Sequence, residues 1–412
     1  MFHKLISTAL AAISLCWGVG VRADDLTKPM FSLSGFGTFG LTHSGETQAD
    51  FTSNFLKANG AGYSHRWSAD VDSRIGAQVT ANFTPQLSAV VQAISEQRYD
   101  NTYRPIVEWA NVKYQITPDL GVRVGRIALP NFLAADYRKV GYALPWARTP
   151  GEVYNLVPIT NSDGVDLNYR MRIGDWKNIF QGSYGKTDVQ YSDAGHAKAR
   201  AILGFSNTLE YGAASVRLSY VQGNLTVDLA QPLFDAFRQF GPQGNAIADR
   251  YDGDNKRISC VGLGATYDPG DWFATAEVGK NTSHSFLGDK TAAYVSGGYR
   301  FNKFTYYGVL AQVRADSNAS DPGLSVAGLP PQLAGVAAGL NLGLNGLLGV
   351  IGVQKSIAVG TRWDFKKNAA LKLQYDRIML GANSPGNLIL VQPGFQRGST
   401  VNVFSAVLDF VF

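Results

Sequence analysis

The sequence predicts an all-β fold, a transmembrane antiparallel β-barrel most simply built from sixteen strands, and three observations carry that prediction. Polar and apolar residues alternate with period two over unusually long segments. Tight turns of Pro, Gly, Asp or Asn recur along the chain, flanked by aromatics. The 412 residues include 45 glycines and 12% aromatics but only 17% charged side chains, below the usual share for a soluble domain. A chain of this length could hold two or three ordinary domains, yet a single closed sheet accommodates it.

The chain opens with MFHKLISTALAAISLCWGVGVRADDL. A cationic Lys4, an apolar core from Leu5 to Trp17 and small residues around Val21-Arg22-Ala23 read as a secretory leader, residues 1–23, leaving a barrel over 24–412. Its apolar run is shorter than the ~20 residues of a membrane helix. Bulky Leu15 before Cys16 is wrong for lipoprotein processing. Only Cys260 follows the leader, so the exported chain has no internal disulfide and no Cys-based metal site. The leader also removes Lys4 and Arg22 from a formal charge of +5, too weak a balance for nucleic-acid binding.

The clearest strand is WSADVDSRIGAQVTANF. Trp67, Ala69, Val71, Ile75, Ala77, Val79, Ala81 and Phe83 fall on one face, and Asp70, Asp72, Arg74, Gln78 and Thr80 on the other. Seventeen alternating residues (67–83) exceed the five or six of a typical globular strand and suit a strand that needs about 9–11 residues to cross hydrocarbon. A soluble core could not bury the ionisable face, whereas a water-filled lumen accepts it.

The turns are NFTPQL, YQITPDL, RIGDWKN, LEYGAA, YDPGDWF, YRFNKF and WDFKKNA. Phe83, Tyr114, Trp176, Tyr211, Tyr267, Trp272, Phe301 and Trp363 beside them form the aromatic girdle of one membrane face. Seven short turns join eight hairpins, which gives sixteen strands. The longer connections fall at about 44–66, 99–105, 127–162, 186–200, 223–255, 282–290, 315–354 and 382–398. Within the seventh, LAGVAAGLNLGLNGLLGVIGV (333–353) has only Asn341 and Asn345 as polar side chains. It reads as an ordered outer loop or helix at the barrel mouth. The alternatives are two further strands, making eighteen, or a lumenal plug or helical span.

The final segment, STVNVFSAVLDFVF, places Phe404, Leu408, Phe410 and Phe412 towards lipid and Asp409 towards the lumen, and it must pair with the first strand to remove an exposed edge. Across the chain, alternation assigns Arg74, Arg98, Lys113, Arg123, Arg170, Arg172, Arg217, Arg300, Arg314, Arg362 and Lys372 to the lumen. It also puts Asp70, Asp72, Glu96, Asp166, Glu277, Asp364, Asp376 and Asp409 there. The excess of cations implies a weak anion preference. Many of these groups also stand where cross-strand pairing can occupy them.

Three motifs suggest other chemistry. GFGTFG (35–40) has the spacing of a dinucleotide-binding turn, but Phe31, Leu33, Phe39 and Leu41 carry a strand straight through it, so its glycines read as sites of close approach, to a neighbouring subunit for example. His43 beside Ser44, or His284 between Ser283 and Ser285, could supply a base and a nucleophile for a barrel-borne hydrolase, without an evident third group. Asp249, Asp252 and Asp254 could hold a divalent cation, though not at calcium-loop spacing.

The opening strand FSLSGFGTFGLTHSG, the segments VRVGRIALP and NSDGVDLNY around the third long connection, and the terminal aromatic resemble the general diffusion porins of Gram-negative outer membranes. The resemblance implies a homotrimer in the outer membrane, in contact with its lipid and lipopolysaccharide, assembled by machinery that reads Phe412 as its signal and passing small hydrophilic solutes. It implies a third loop, 129–161, folded into the pore with Asp136 and Glu152 facing a wall of Arg74, Arg98, Lys113 and Arg123. Here the loop departs from the family pattern by carrying Arg138, Lys139 and Arg148, and it lacks the Pro-Glu-Phe-Gly-Gly type of tip. The expectation is a passive channel with no cofactor, metal or covalent chemistry. A channel specific for organic anions is the alternative within transport.

Overall fold

The computed structural model describes residues 29–412; the predicted leader lies outside them. Sixteen long strands follow one another: β1 (Phe31–Ser44), β2 (Arg74–Asn82), β3 (Leu87–Glu96), β4 (Ile106–Gln115), β5 (Leu120–Ala128), β6 (Asn161–Ile173), β7 (Trp176–Gln190) and β8 (His196–Tyr211), then β9 (Ala214–Val227), β10 (Lys256–Tyr267), β11 (Trp272–Thr282), β12 (Lys290–Phe301), β13 (Phe304–Ala315), β14 (Gln354–Lys366), β15 (Ala369–Leu380) and β16 (Thr400–Val411). Each pairs antiparallel with its sequence neighbours. β1 closes the sheet, pairing with β2 over Phe31–Thr38 and with β16 over Phe36–Ser44. Closure leaves no open edge.

Alternation translates into two faces. In β16, Phe404 and Leu408 are exposed outward, while Val403, Ser405, Val407 and Asp409 are buried on the lumenal side. The seven short turns join β2–β3, β4–β5 and so on to β14–β15, and all eight predicted girdle aromatics are exposed beside them. Trp176 stacks on Tyr211 with centroids 4.5 Å apart, and Phe304 on Trp363 at 5.9 Å.

Four local readings are corrected. The seventeen-residue strand breaks: only Trp67–Ser68 bridges to β1, residues 69–73 turn, and β2 begins at Arg74. Fully buried Val71 explains the break, because its carbonyl accepts from Lys57 Nζ (3.1 Å) and Ser53 Oγ (2.5 Å) of the first long loop instead of a strand partner. The fourth long connection shrinks to 191–195, since β7 and β8 extend past the predicted boundaries across a register shift at Gly185/Thr187. Arg314, assigned to the lumen by polarity, points outward with 63% of its side chain exposed, because Val309, Ala311 and Val313 take the inner face. Gly35 and Gly37 do face outward, but their notches are filled by the rings of Phe412 and Phe410 of the same chain.

Among the described residues α-helices occur only in the long connections: α1 (Gly151–Tyr154), α2 (Gln231–Arg238), α3 (Gly241–Tyr251) and α4 (Pro331–Leu348). The Gly/Leu-rich stretch is therefore chiefly the outer helix α4. Ala337, Leu344 and Leu348 bury it against Phe234, Phe237 and Ile247 of α2 and α3, and Asn341 and Asn345 donate to the carbonyls of Leu324 and Asp321, each at 2.9 Å. Among the described residues no helix is long and apolar enough to cross a membrane, which says nothing of the strands.

Candidate functional site in the lumen

The third long connection, 129–160, folds into the barrel and packs on the inner face of β10–β16. Phe132, Leu144, Trp146, Val153, Tyr154 and Leu156 form one buried cluster with wall residues Cys260, Phe273, Tyr294, Tyr307 and Val309. The wall makes room with small residues: a Cβ at Gly264 would lie 2.6 Å from Leu133 Cγ, and one at Gly279 would lie 2.9 Å from Leu156 Cδ1. Burial of these apolar groups is the main non-directional force holding the loop inward.

Polar anchors fix its register. Glu277 on β11 accepts from the amide of Leu133 (2.7 Å) and the hydroxyls of Tyr154 and Tyr294 (both 2.8 Å). Trp146 Nε1 donates to Ser296 Oγ at 2.8 Å, and the Ala147 amide to Gln374 Oε1 at 3.0 Å. Fully buried Lys372 on β15 donates to the carbonyls of Gly141 (2.7 Å) and Trp146 (2.9 Å) and forms an ion pair with Asp409 at 2.8 Å. A buried ammonium is tolerable only with such a set of partners.

Two loop cations reach wall carboxylates. Arg148 donates Nε and Nη2 to the two Asp72 oxygens (2.9 and 2.6 Å), Nη2 to Ser405 Oγ (2.6 Å) and Nη1 to Asp376 (3.2 Å). Burial of Asp72 works against its charge, but Arg148 outweighs this and holds the carboxyl below the usual range. Burial likewise opposes the charge of Arg148, and Asp72 more than restores it. Lys139 bridges Glu96 (2.7 Å) and Glu108 (2.9 Å); burial disfavours its ammonium, and the two carboxylates together raise its pKa.

The side of the lumen left by the loop is basic. A cleft there is lined by Lys113, Arg123, Asn168 and Arg170, with Asp119 as its one lining carboxylate. Arg123 makes a bidentate ion pair with buried Asp166. Away from that cleft, Arg217 on β9 is buried near Glu277 and loop residue Tyr137, and its Nε and Nη2 have no hydrogen-bond partner among the described residues.

The predicted residues thus separate into groups. Arg74 meets Glu96 at 3.7 Å beside Lys139, while Lys113 and Arg123 share the cleft. Arg98 is not on β3: it lies in the short loop after Glu96, with its guanidinium over Tyr99. Glu152 is buried, accepting from Gln354 Nε2 at 2.7 Å, and Asp136 is half-buried. Arg138 closes the loop on itself through the carbonyls of Tyr154, Val157 and Pro158. Sequence reading placed Glu277, Lys372 and Asp409 on the lumenal face but did not single them out as loop anchors; isolated charges in otherwise apolar strands were the available signal. His43 packs outward against Trp67 with the rings tilted, while Ser44 is buried on the other face, and the Oγ of Ser285 donates to the Oγ of Ser283. Asp252 is paired with Arg238 and Lys256, which supply its charge balance.

No known protein family matches the sequence, and no curated protein does. Solved structures do match in fold. The anion-selective porin from Comamonas acidovorans is 13% identical, with a TM-score of 0.54 over 93% of this chain and 99% of that one. The outer membrane channel DcaP of Acinetobacter baumannii is 12% identical, with a TM-score of 0.54 over 96% and 100%. The trimer form of in-vitro folded OmpT, an outer membrane protein of Vibrio cholerae, is 10% identical, with a TM-score of 0.51 over 93% and 100%. At these identities the likeness is one of fold: a closed sixteen-stranded barrel of the outer-membrane porin type.

Proposed function

We propose that this chain is an outer-membrane porin, a passive channel through which small hydrophilic solutes and ions cross a lumen narrowed by the third loop. One observation carries the reading: ionisable side chains line the inner face of a closed barrel whose outer face is apolar, and the inward loop is fixed to that inner face. The protein resides in the outer membrane with its long loops outward and its short turns in the periplasm. It assembles as a trimer, in line with the trimeric neighbour of the same fold. Arg74, Lys113, Arg123 and loop residues Asp136 and Lys139 bound the constriction. Purified protein in planar bilayers should give stepwise single-channel conductance with a weakly anion-selective reversal potential, and absence of conductance steps from folded barrels would overturn the proposal.

The cleft favours a second reading, a channel that holds organic anions during transit. Lys113, Arg123 and Arg170 converge there. Saturable block of the ion current by a small carboxylate would separate this from unselective diffusion.

A further inference from the structure

A second pocket opens where the first long loop, the third loop and β13–β15 meet. Its body is apolar, formed by Val309, Ala311 and Ile378 of the wall and by the rings of Phe51 and Trp146. Its ionisable groups are Glu152 on α1, Asp376 on β15 and Arg148 of the third loop. Two carboxylates thus face one guanidinium, the reverse of the basic cleft on β4–β6.

That guanidinium is already committed. Its Nε and Nη2 serve Asp72, Thr42 and Ser405, and only Nη1 turns to Asp376, at 3.2 Å. One face of it covers the ring of Phe51, 5.0 Å from the centroid. Glu152 has no cation at all. It is 5% exposed and forms no ion pair; its Oε1 accepts from Gln354 Nε2 at 2.7 Å, while its Oε2 has no hydrogen-bond donor among the described residues. Gln354 is itself fixed, because its Oε1 accepts from the Asn387 amide at 2.8 Å, and this holds the carboxylate in place. Asp376, 9% exposed, stands close enough to Glu152 for the two charges to repel. A buried carboxylate without a countercharge is costly, and the pocket in front of Glu152 is where a countercharge can enter.

We propose that this pocket binds solutes that carry a primary ammonium on a compact apolar or aromatic body. The inference goes beyond the channel reading and rests on it only in that solutes must reach the lumen. An ammonium at Glu152 Oε2 makes a charge-assisted hydrogen bond and offsets the repulsion from Asp376, while its carbon body lies against Val309, Ile378 and the aromatic rings. A quaternary ammonium has no N–H to donate, and a carboxylate would meet two like charges. A divalent metal fits less well, because no group of three or more His, Cys, Asp or Glu stands together as a metal site among the described residues.

The test titrates the full exported chain, folded in a non-ionic detergent near neutral pH, with benzylammonium, benzyltrimethylammonium and benzyl alcohol, and reads binding by saturation-transfer NMR. Benzylammonium should bind at least about ten-fold more tightly than either other probe, and equimolar potassium should not displace it. Glu152→Gln conserves the shape of the side chain and should lose most of that advantage. Ser356→Lys, at a lining position of the pocket, supplies an ammonium from the chain itself and should abolish binding; should one variant fail to fold, the other remains decisive. Equal affinity for benzyl alcohol, displacement by potassium, or an undiminished preference in either folded variant would overturn the proposal. Conductance, measured separately, distinguishes the failures: a conducting barrel without ammonium preference sinks only this inference, and a folded barrel without conductance steps sinks the channel reading.

Discussion

The ring of Phe412 lies over Gly35 so closely that a Cβ there would meet its Cζ at 2.3 Å, and the two residues exchange both backbone hydrogen bonds at 2.9 Å. One step along, Phe410 covers Gly37 in the same way. The seam that closes the barrel is thus a strand ladder reinforced by two rings seated in two glycine notches, the cross-strand device by which aromatics stabilise a glycine-weakened strand.

Removing Phe412 deletes one ring and both terminal hydrogen bonds, and Phe412→Glu places a charge on the lipid-facing seam. Both should cut the fraction of heat-modifiable folded barrel severalfold, as read by gel mobility of unheated samples. Gly35→Val should do so too, by evicting the ring. Phe412→Trp should retain assembly. Wild-type folding of the deletion would show that the seam does not depend on this residue.

Arg148 and Asp72 are 9% and 1% exposed in their side chains, and breaking a buried pair by removing one partner costs about 3–5 kcal/mol. Arg148→Gln should therefore loosen the third loop without unfolding the barrel. Cys260, 6% exposed beneath that loop, reports on it. A water-soluble maleimide should label the wild-type barrel slowly and the variant at least ten-fold faster, and equal rates would mean that the loop is held by its apolar cluster alone.

The same pair gives a pH dependence whose sign follows from the depressed carboxyl of Asp72. A group with a lowered folded pKa stabilises fully above its unfolded value, about 4, and that contribution fades as pH falls further. Arg74, Lys57 and Asp376 also surround the pair, so the measurement is a difference. The part of the channel's acid-induced current noise that Asp72→Asn removes should lie below pH ~4. A difference centred near neutrality would assign the response to another group.

Selectivity should follow the cleft rather than the second loop. Replacing Lys113 and Arg170 with Glu changes the local charge by four units within the confined lumen, and the reversal potential should move towards cations. Arg98→Glu should move it far less, because that residue lies in a loop where salt screens charges beyond about 10 Å at 0.1 M. A larger shift from Arg98 would return it to the constriction.

The sequence alone determined the barrel. Period-two alternation, seven punctuated turns and the aromatics beside them are local signals, and a lumen that accepts ionisable groups explains why the alternation runs so long. It also located the loop ends to within a few residues for most connections, because turn chemistry is local as well. Tertiary structure decided what the inner face does. Whether Arg74, Arg123, Lys139 or Arg148 is available to solutes depends on partners such as Glu96, Asp166 and Asp72, and the loop residues among them lie 43 and 76 positions from theirs. Alternation cannot encode which residue of an irregular loop meets which wall carboxylate. It also failed at Val71, where a buried carbonyl serving Lys57 and Ser53 ended the strand, and at Arg314, where Val309, Ala311 and Val313 took the inner face and left the cation outward. Period two states that a side chain changes face; only the packed surroundings state what that face touches.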